Sequence, residues 1–119
     1  MSADEHKALI RRFAERFWNG KDLDAYGDFH ATEFMQNGKA TTVEAVKQGL
    51  KHILKNDVPN LQHTIDDIIT EGDKVAYRWT MRGTNQETGQ PQAFRGITFM
   101  RIEGGKIVDD WFCSEPIEE

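Results

Sequence analysis

Two carboxylates, a tryptophan and a thiol alternate along the last stretch of this chain. In GGKIVDDWFCSEP, residues 104–116, a Gly-Gly turn leads into an extended segment whose alternate positions are Asp109, Trp111, Cys113 and Glu115. Residues two apart on a strand share a face. A carboxylate held against an aromatic wall, away from water, has its pKa raised toward neutrality and can take up and return protons. That is the chemistry of enolisation and aldol closure, where one group removes a proton beside a carbonyl and the same or another group reprotonates oxygen or carbon. Glu115 is the first candidate for this group, with Trp111 as its wall. The bland alternative is that Glu115 merely opens the solvated acidic tail EPIEE. Asp109 shares the Trp111 face, inside a pocket or at its rim. Asp110 falls on the opposite face with Phe112 and is expected to pair with an arginine of YRWTMRGT.

Four histidines offer further proton chemistry. His30 shares a helical face with Leu23 and Tyr26, so Tyr26 and His30 are expected to point together into the fold; His30 is a second acid–base candidate. His63 shares strand parity with Leu61 and Ile65 and is a candidate for ligand contact. For both, a satisfied core histidine is the structural alternative. His6 sits on the apolar stripe of the first helix near its end, and His52 opposite the stripe of the third. No pair has the His-x-x-x-His spacing of a metal site, and none is expected. Trp18, Tyr77, Trp79, Phe99 and Trp111 are many aromatics for a small chain. Most belong to a core, but at the rim of a cavity Trp18, Tyr77, Trp79 and Trp111 would wall a flat ring-shaped ligand. Cys113 has no basic neighbour in sequence and reads as a small buried hydrophobe.

The elements that must position these groups follow from periodicity. From Asp4 to Asn19, Leu9, Ile10, Phe13, Ala14, Phe17 and Trp18 recur at helical spacing before Gly20. A short second helix is expected from Leu23 to His30 with Asp22 as N-cap, and a brief strand in TEFMQNG. The third helix opens with the capping-box spacing Thr41 to Glu44 and carries Val43, Val46, Leu50, Ile53 and Leu54 on one stripe. Beyond Pro59, two pairs of strands flank the turns EGD and EGG, giving a four-strand antiparallel meander joined at its edge by the earlier strand. Helices on one side of such a sheet make an α+β domain.

In the last three strands one parity holds Val75, Tyr77, Trp79, Met81, Met100, Ile102, Ile107 and Trp111. The other holds Ile97, Phe99, Val108 and Phe112 among arginines. Such a sheet is half apolar on both faces; one face meets the helices, and the other is expected to meet a second copy, which sedimentation at micromolar concentration tests.

The 119 residues fit one domain, residues 1–119. A net charge of −5 disfavours nucleic acid, and with 38% hydrophobic and 29% charged residues the composition is that of a folded chain. One cysteine excludes an internal disulfide; no signal-like segment or long apolar run is present, so the expectation is cytoplasmic, without membrane.

The segments RFWNGKDLDAY, VPNLQHTIDDIITEGDKVAYRWTMRGT and ITFMRIEGGKIVDDWFCSEP together resemble the SnoaL-like polyketide cyclase family of the nuclear-transport-factor-2-like superfamily. The resemblance implies a cone-shaped fold, with three N-terminal helices on the concave face of a curved, mostly antiparallel sheet enclosing a blind apolar pocket, often dimeric through the sheet. It implies an intramolecular aldol step without metal or cofactor, driven by a pocket carboxylate; the position matching the family's acid is Glu115. Asn85, Gln36 and Asn37 stand where the family often has histidine, the loop NQETGQP is short, and FMQNG lacks the acid of the ketosteroid-isomerase branch. The leading expectation is a cofactor-independent cyclase or isomerase acting on a small hydrophobic molecule. The alternatives are a non-catalytic binder of such a molecule, or a dimerisation module of the same fold.

Overall fold

A computed structural model describes residues 1–118. Ser2 opens helix α1 (Ala3–Phe13): its hydroxyl accepts from the Glu5 amide at 3.1 Å while the Glu5 carboxylate accepts from the Ser2 amide at 3.0 Å. His6 is thereby held in the core rather than fraying. The helix continues through a widened, π-type turn (Ala14–Asn19) and stops at Gly20, where a Cβ would sit 2.6 Å from the Arg16 carbonyl. Lys21, at φ 58°, then reverses the chain and donates from its ammonium to the carbonyls of Trp18 and Leu61.

Helix α2 (Ala25–Phe29) is shorter than its pattern suggested, and His30 already belongs to strand β1 (His30–Gln36). Asp22 supplies a backbone turn rather than a side-chain cap, its carbonyl accepting from Ala25. A hairpin through Asn37 and Gly38 leads to β2 (Lys39–Thr42), so two early strands form where one was expected. Thr42, one residue beyond the anticipated cap, accepts from the Ala45 amide at 3.1 Å and starts helix α3 (Val43–His52), which also ends in a π-type turn (Ile53–Asp57). The meander follows as β3 (Gln62–Glu71), β4 (Lys74–Thr84), β5 (Pro91–Glu103) and β6 (Lys106–Pro116).

The six strands make one mixed sheet in the order β2-β1-β6-β5-β4-β3, parallel only between β1 and β6. The helices cover one face. Leu9, Ile10, Phe13 and Phe17 of the first helix pack on Tyr26, Phe29, Val75, Tyr77, Met100 and Ile107, with Phe13 and Phe17 stacked at 5.4 Å. Helix α3 differs: none of its residues is buried, although Val43, Val46 and Leu50 lean on the core. The opposite sheet face carries an apolar row, the exposed Ile69, Phe99 and Trp111 with the half-buried Ala76, aligned across four strands by the register. Among the described residues no helix is long and apolar enough to cross a membrane.

Candidate functional site

One irregularity in β6 decides which side chains reach the interior. Ile102 pairs with Ile107, yet Arg101 pairs with Asp109, so Val108 is an extra residue bulged from the ladder. Side-chain parity inverts beyond it. Ile107 points inward before the bulge; after it the inward residues are Asp110, Phe112 and Ser114, opposite Met100, Thr98 and Gly96. They line, with the helices, a cavity of about 490 Å³.

Asp110 lies in the wall of this cavity and is only 5% exposed. Its backbone is clamped by Asn37: the Asn37 amide donates to the Asp110 carbonyl at 2.8 Å, and the Asn37 side chain accepts from the Phe112 amide at 2.9 Å. The asparagine adopts φ 50°, in the left-handed region its short polar side chain tolerates. Gln36 is the register partner of Asp110 on β1, which brings its amide beside the carboxyl group. Burial pushes the Asp110 pKa up from the usual 3.8 to about 7; the Gln36 amide pulls it down and the neighbouring Asp109 charge raises it further. Among the described residues Asp110 Oδ1 has no hydrogen-bond partner.

Two tyrosines complete the polar end. Tyr26 and Tyr77 line the cavity, and burial, reinforced by the Asp110 charge, holds both phenols well above their ordinary pKa and therefore protonated. Thr98 accepts from the Trp79 indole at 2.8 Å and engages the Tyr77 hydroxyl. The Trp79 ring lies across Gly96, where a Cβ would come within 2.3 Å of it. The apolar end is a ring stack: His63 sits between Trp18 (5.6 Å, 8°) and Trp79 (5.4 Å, 28°). Asn19 fixes the His63 backbone from both sides, at 2.7 and 3.0 Å. Burial lowers the His63 pKa to about 4, so the imidazole is neutral near pH 7.

Trp18, Tyr26, His63, Tyr77 and Trp79 are thus brought together around one cavity. His30 is not on its surface. Its ring stacks behind Tyr26 at 3.8 Å and donates from Nδ1 to the Tyr26 carbonyl at 3.0 Å, and burial lowers its pKa to about 4. It orients Tyr26 and is out of reach of the cavity.

The strand-parity expectation fails for Glu115, Asp109 and Trp111, because Val108 turns all three to the outer face. Glu115 is solvated and accepts from Arg95 Nε at 2.7 Å. Trp111 is 47% exposed and packs on Gly38. Cys113, expected to be buried, is exposed on the same side. Conversely Asp110, expected in a surface ion pair, is the buried acid. Phe112, Gln36 and Thr98 were also missed. The available signal was that Ile107 and Phe112, both large and apolar, stand on opposite parities, which one inserted residue reconciles. Among the described residues no group of three or more His, Cys, Asp or Glu side chains gathers where a metal could be held.

Comparison with known proteins places this geometry among relatives. AclR, a candidate hydroxylase from Streptomyces galilaeus, superposes with a TM-score of 0.84 at 25% identity, over 96% of this chain and 81% of that one. IdmH, a candidate polyketide cyclase from Streptomyces antibioticus, gives 0.82 at 23% identity over 92% and 91%. A SnoaL-like polyketide cyclase from Agrobacterium tumefaciens gives 0.83 at 17% identity over 97% and 93%. No curated protein matches the chain. The SnoaL-like polyketide cyclase family model matches residues 8–117, nearly the whole described chain, and the protein belongs to that family.

Proposed function

We propose that this chain catalyses an acid–base rearrangement, an enolisation or intramolecular aldol closure, of a flat hydrophobic substrate, with Asp110 rather than Glu115 as the proton-transfer group. The single observation that carries this reading is a buried carboxyl group in the wall of an apolar cavity, with one oxygen unpartnered and its pKa raised to about 7. A general base is most effective when its pKa lies near the working pH. The ionised carboxylate takes a proton from the carbon beside a substrate carbonyl. The resulting enolate carbon bonds to a second carbonyl of the same molecule, and the proton returns from Asp110 to the new alkoxide. The step is redox-neutral and asks for no oxidant or reductant. The protonated Tyr26 and Tyr77 hydroxyls are suited to donate to the developing enolate oxygen. Family membership supports a polyketide-like substrate class.

The test needs no knowledge of the natural substrate. Exchange of the α-protons of 2-tetralone, a neutral bicyclic ketone, is followed by NMR in heavy water. The protein accelerates it, with a rate that rises with pH through about 7 as Asp110 ionises. Asp110→Asn slows the protein-dependent exchange by about 10²–10⁴-fold, and Glu115→Gln leaves it unchanged. Equal rates for Asp110→Asn and the wild type would refute the assignment.

A further inference from the structure

The cavity opens on one side, and the exposure of its lining shows where. Tyr26, His63, Tyr77, Trp79, Thr98 and Asp110 are buried; Ala45, Gly49, Phe112 and Ser114 line the same space and are exposed. Asp110, Phe112 and Ser114 follow one another along the inner face of β6 at intervals of roughly 7 Å, a track from the buried acid to the outside. Facing this track is helix α3. Ala45 and Gly49 are four residues apart and share one helical face; beside the half-buried Val46 and Leu50, which also line the cavity, they are the exposed α3 residues at its opening and carry only a methyl group and a hydrogen there.

Gly49 is not explained by the fold. Glycine in a helix interior is less favourable than alanine. Apart from its chain neighbours and the backbone of its own helix, no atom lies within 4 Å of the position its Cβ would take, so no close approach demands it, and its φ is not in the left-handed region. Gly83 and Gly96, by contrast, would each place a Cβ 2.3 Å from a packed side chain. What Gly49 leaves behind is room at the mouth. Among the described residues no lysine or arginine lines the cavity, while a buried carboxyl group does, so the space favours an uncharged ligand.

We propose that Gly49 is a specificity-determining residue: α3 and the outer end of β6 form a slot that admits flat, uncharged ring systems edge-on, and the bare turn at Gly49 sets the width that lets fused rings pass. The inference concerns access and holds whether the cavity catalyses or only binds.

The test reads uptake without turnover. Trp18 and Trp79 line the cavity, so in a Trp111→Phe background their fluorescence reports arrival of a quencher. The probes are nitrobenzene, a single neutral ring, and 1,8-dihydroxyanthraquinone, three fused neutral rings, mixed by stopped flow. Gly49→Leu slows uptake of the tricycle by about tenfold or more and that of nitrobenzene by less than about twofold, and Gly49→Phe slows the tricycle further. Gly49→Ala raises the melting temperature, since the helix gains propensity and no contact is lost. Circular dichroism and melting curves establish that each variant is folded. Three outcomes overturn the proposal: tricycle uptake by Gly49→Leu at the wild-type rate, equal slowing of both probes, or no uptake of either probe by the parent. Because Asp110 is untouched and no reaction is followed, failure here leaves the α-proton exchange assay to judge the catalytic reading on its own.

Discussion

Asp110 and Glu115 stand five residues apart on one strand and meet opposite fates. Asp110 faces the cavity, has one oxygen without a partner and holds its proton up to about pH 7. Glu115 faces solvent and lies 2.7 Å from Arg95 Nε, with 64% of its side chain exposed. The two differ by one methylene, so chemistry intrinsic to the residue cannot separate them. Environment does: desolvation disfavours the charged form of Asp110, whereas Glu115 lies in water beside the Arg95 guanidinium. A buried acid without an ion partner is unfavourable for the fold, the usual mark of a position held for function.

The comparison rests on burial, and putting the same charge at both positions is the strongest way to break it. The bulged Val108 is not the lever: its deletion would leave Asp109 opposite Arg101 and Asp110 opposite Met100, with Asp110 still inward. Asp110→Lys places an ammonium without a partner in the buried wall of the cavity. Denaturant unfolding is expected to show a loss on the order of 4–5 kcal/mol, with Asp110-dependent proton exchange abolished. Glu115→Lys places the same charge in water beside Arg95 and should cost less than about 1 kcal/mol. Equal losses at the two positions would mean that Asp110 is not the buried acid.

A smaller effect separates the two faces by pH. The folded-state pKa of Asp110 is raised above its ordinary 3.8, so its contribution to stability is fully present below that value and is lost as pH rises through about 7. Asp110→Asn removes this loss. The variant should be more stable than wild type at pH 8 by on the order of 2–4 kcal/mol, the difference shrinking toward pH 4. His30 and His63 run the other way. Their folded-state pKa values are depressed from 6.5 to about 4, so the stability they contribute is present above 6.5 and lost as pH falls through about 4. Wild-type stability should peak between these limits, whereas Asp110→Asn should level off above pH 6.5. Melting temperature against pH measures both. A wild-type curve still rising from pH 6 to 8 would contradict the buried acid.

The α+β architecture, the sharing of one sheet face by Val75, Tyr77, Trp79 and Met81, and the grouping of Trp18, Tyr26 and His63 were legible because period and turn chemistry are local, whereas which sheet face meets the helices was not. Nor was the orientation of β6. A bulge is set by the ladder on the neighbouring strand, and a single strand with aromatics on both parities reads equally well either way. The second early strand escaped notice although Asn37-Gly38, both at positive φ, is a local hairpin signal between Gln36 and Lys39. What no spacing within QNGKATT reveals is that Asn37 also clamps β6. Helical register was easier: His30 falls beside Tyr26 as its spacing implied, but only the three-dimensional packing puts the tyrosine between it and the cavity.

The smallest effect is the sharpest control. Glu115 and Arg95 are both largely solvated, so their attraction is screened and opposed by the entropy of holding two long side chains together. Glu115→Gln should change unfolding free energy by less than about 0.5–1 kcal/mol, a shift in melting temperature of no more than about 3–5 °C for a chain of this size. The change should shrink in 1 M salt, where the screening length falls to about 3 Å, close to the separation of the pair itself. Differential scanning calorimetry at low and high salt is enough to see this. A salt-independent loss above about 2 kcal/mol exceeds what an exposed pair can supply. It would mean that the outer-face carboxylate is held in a buried contact, and the contrast with Asp110 would collapse.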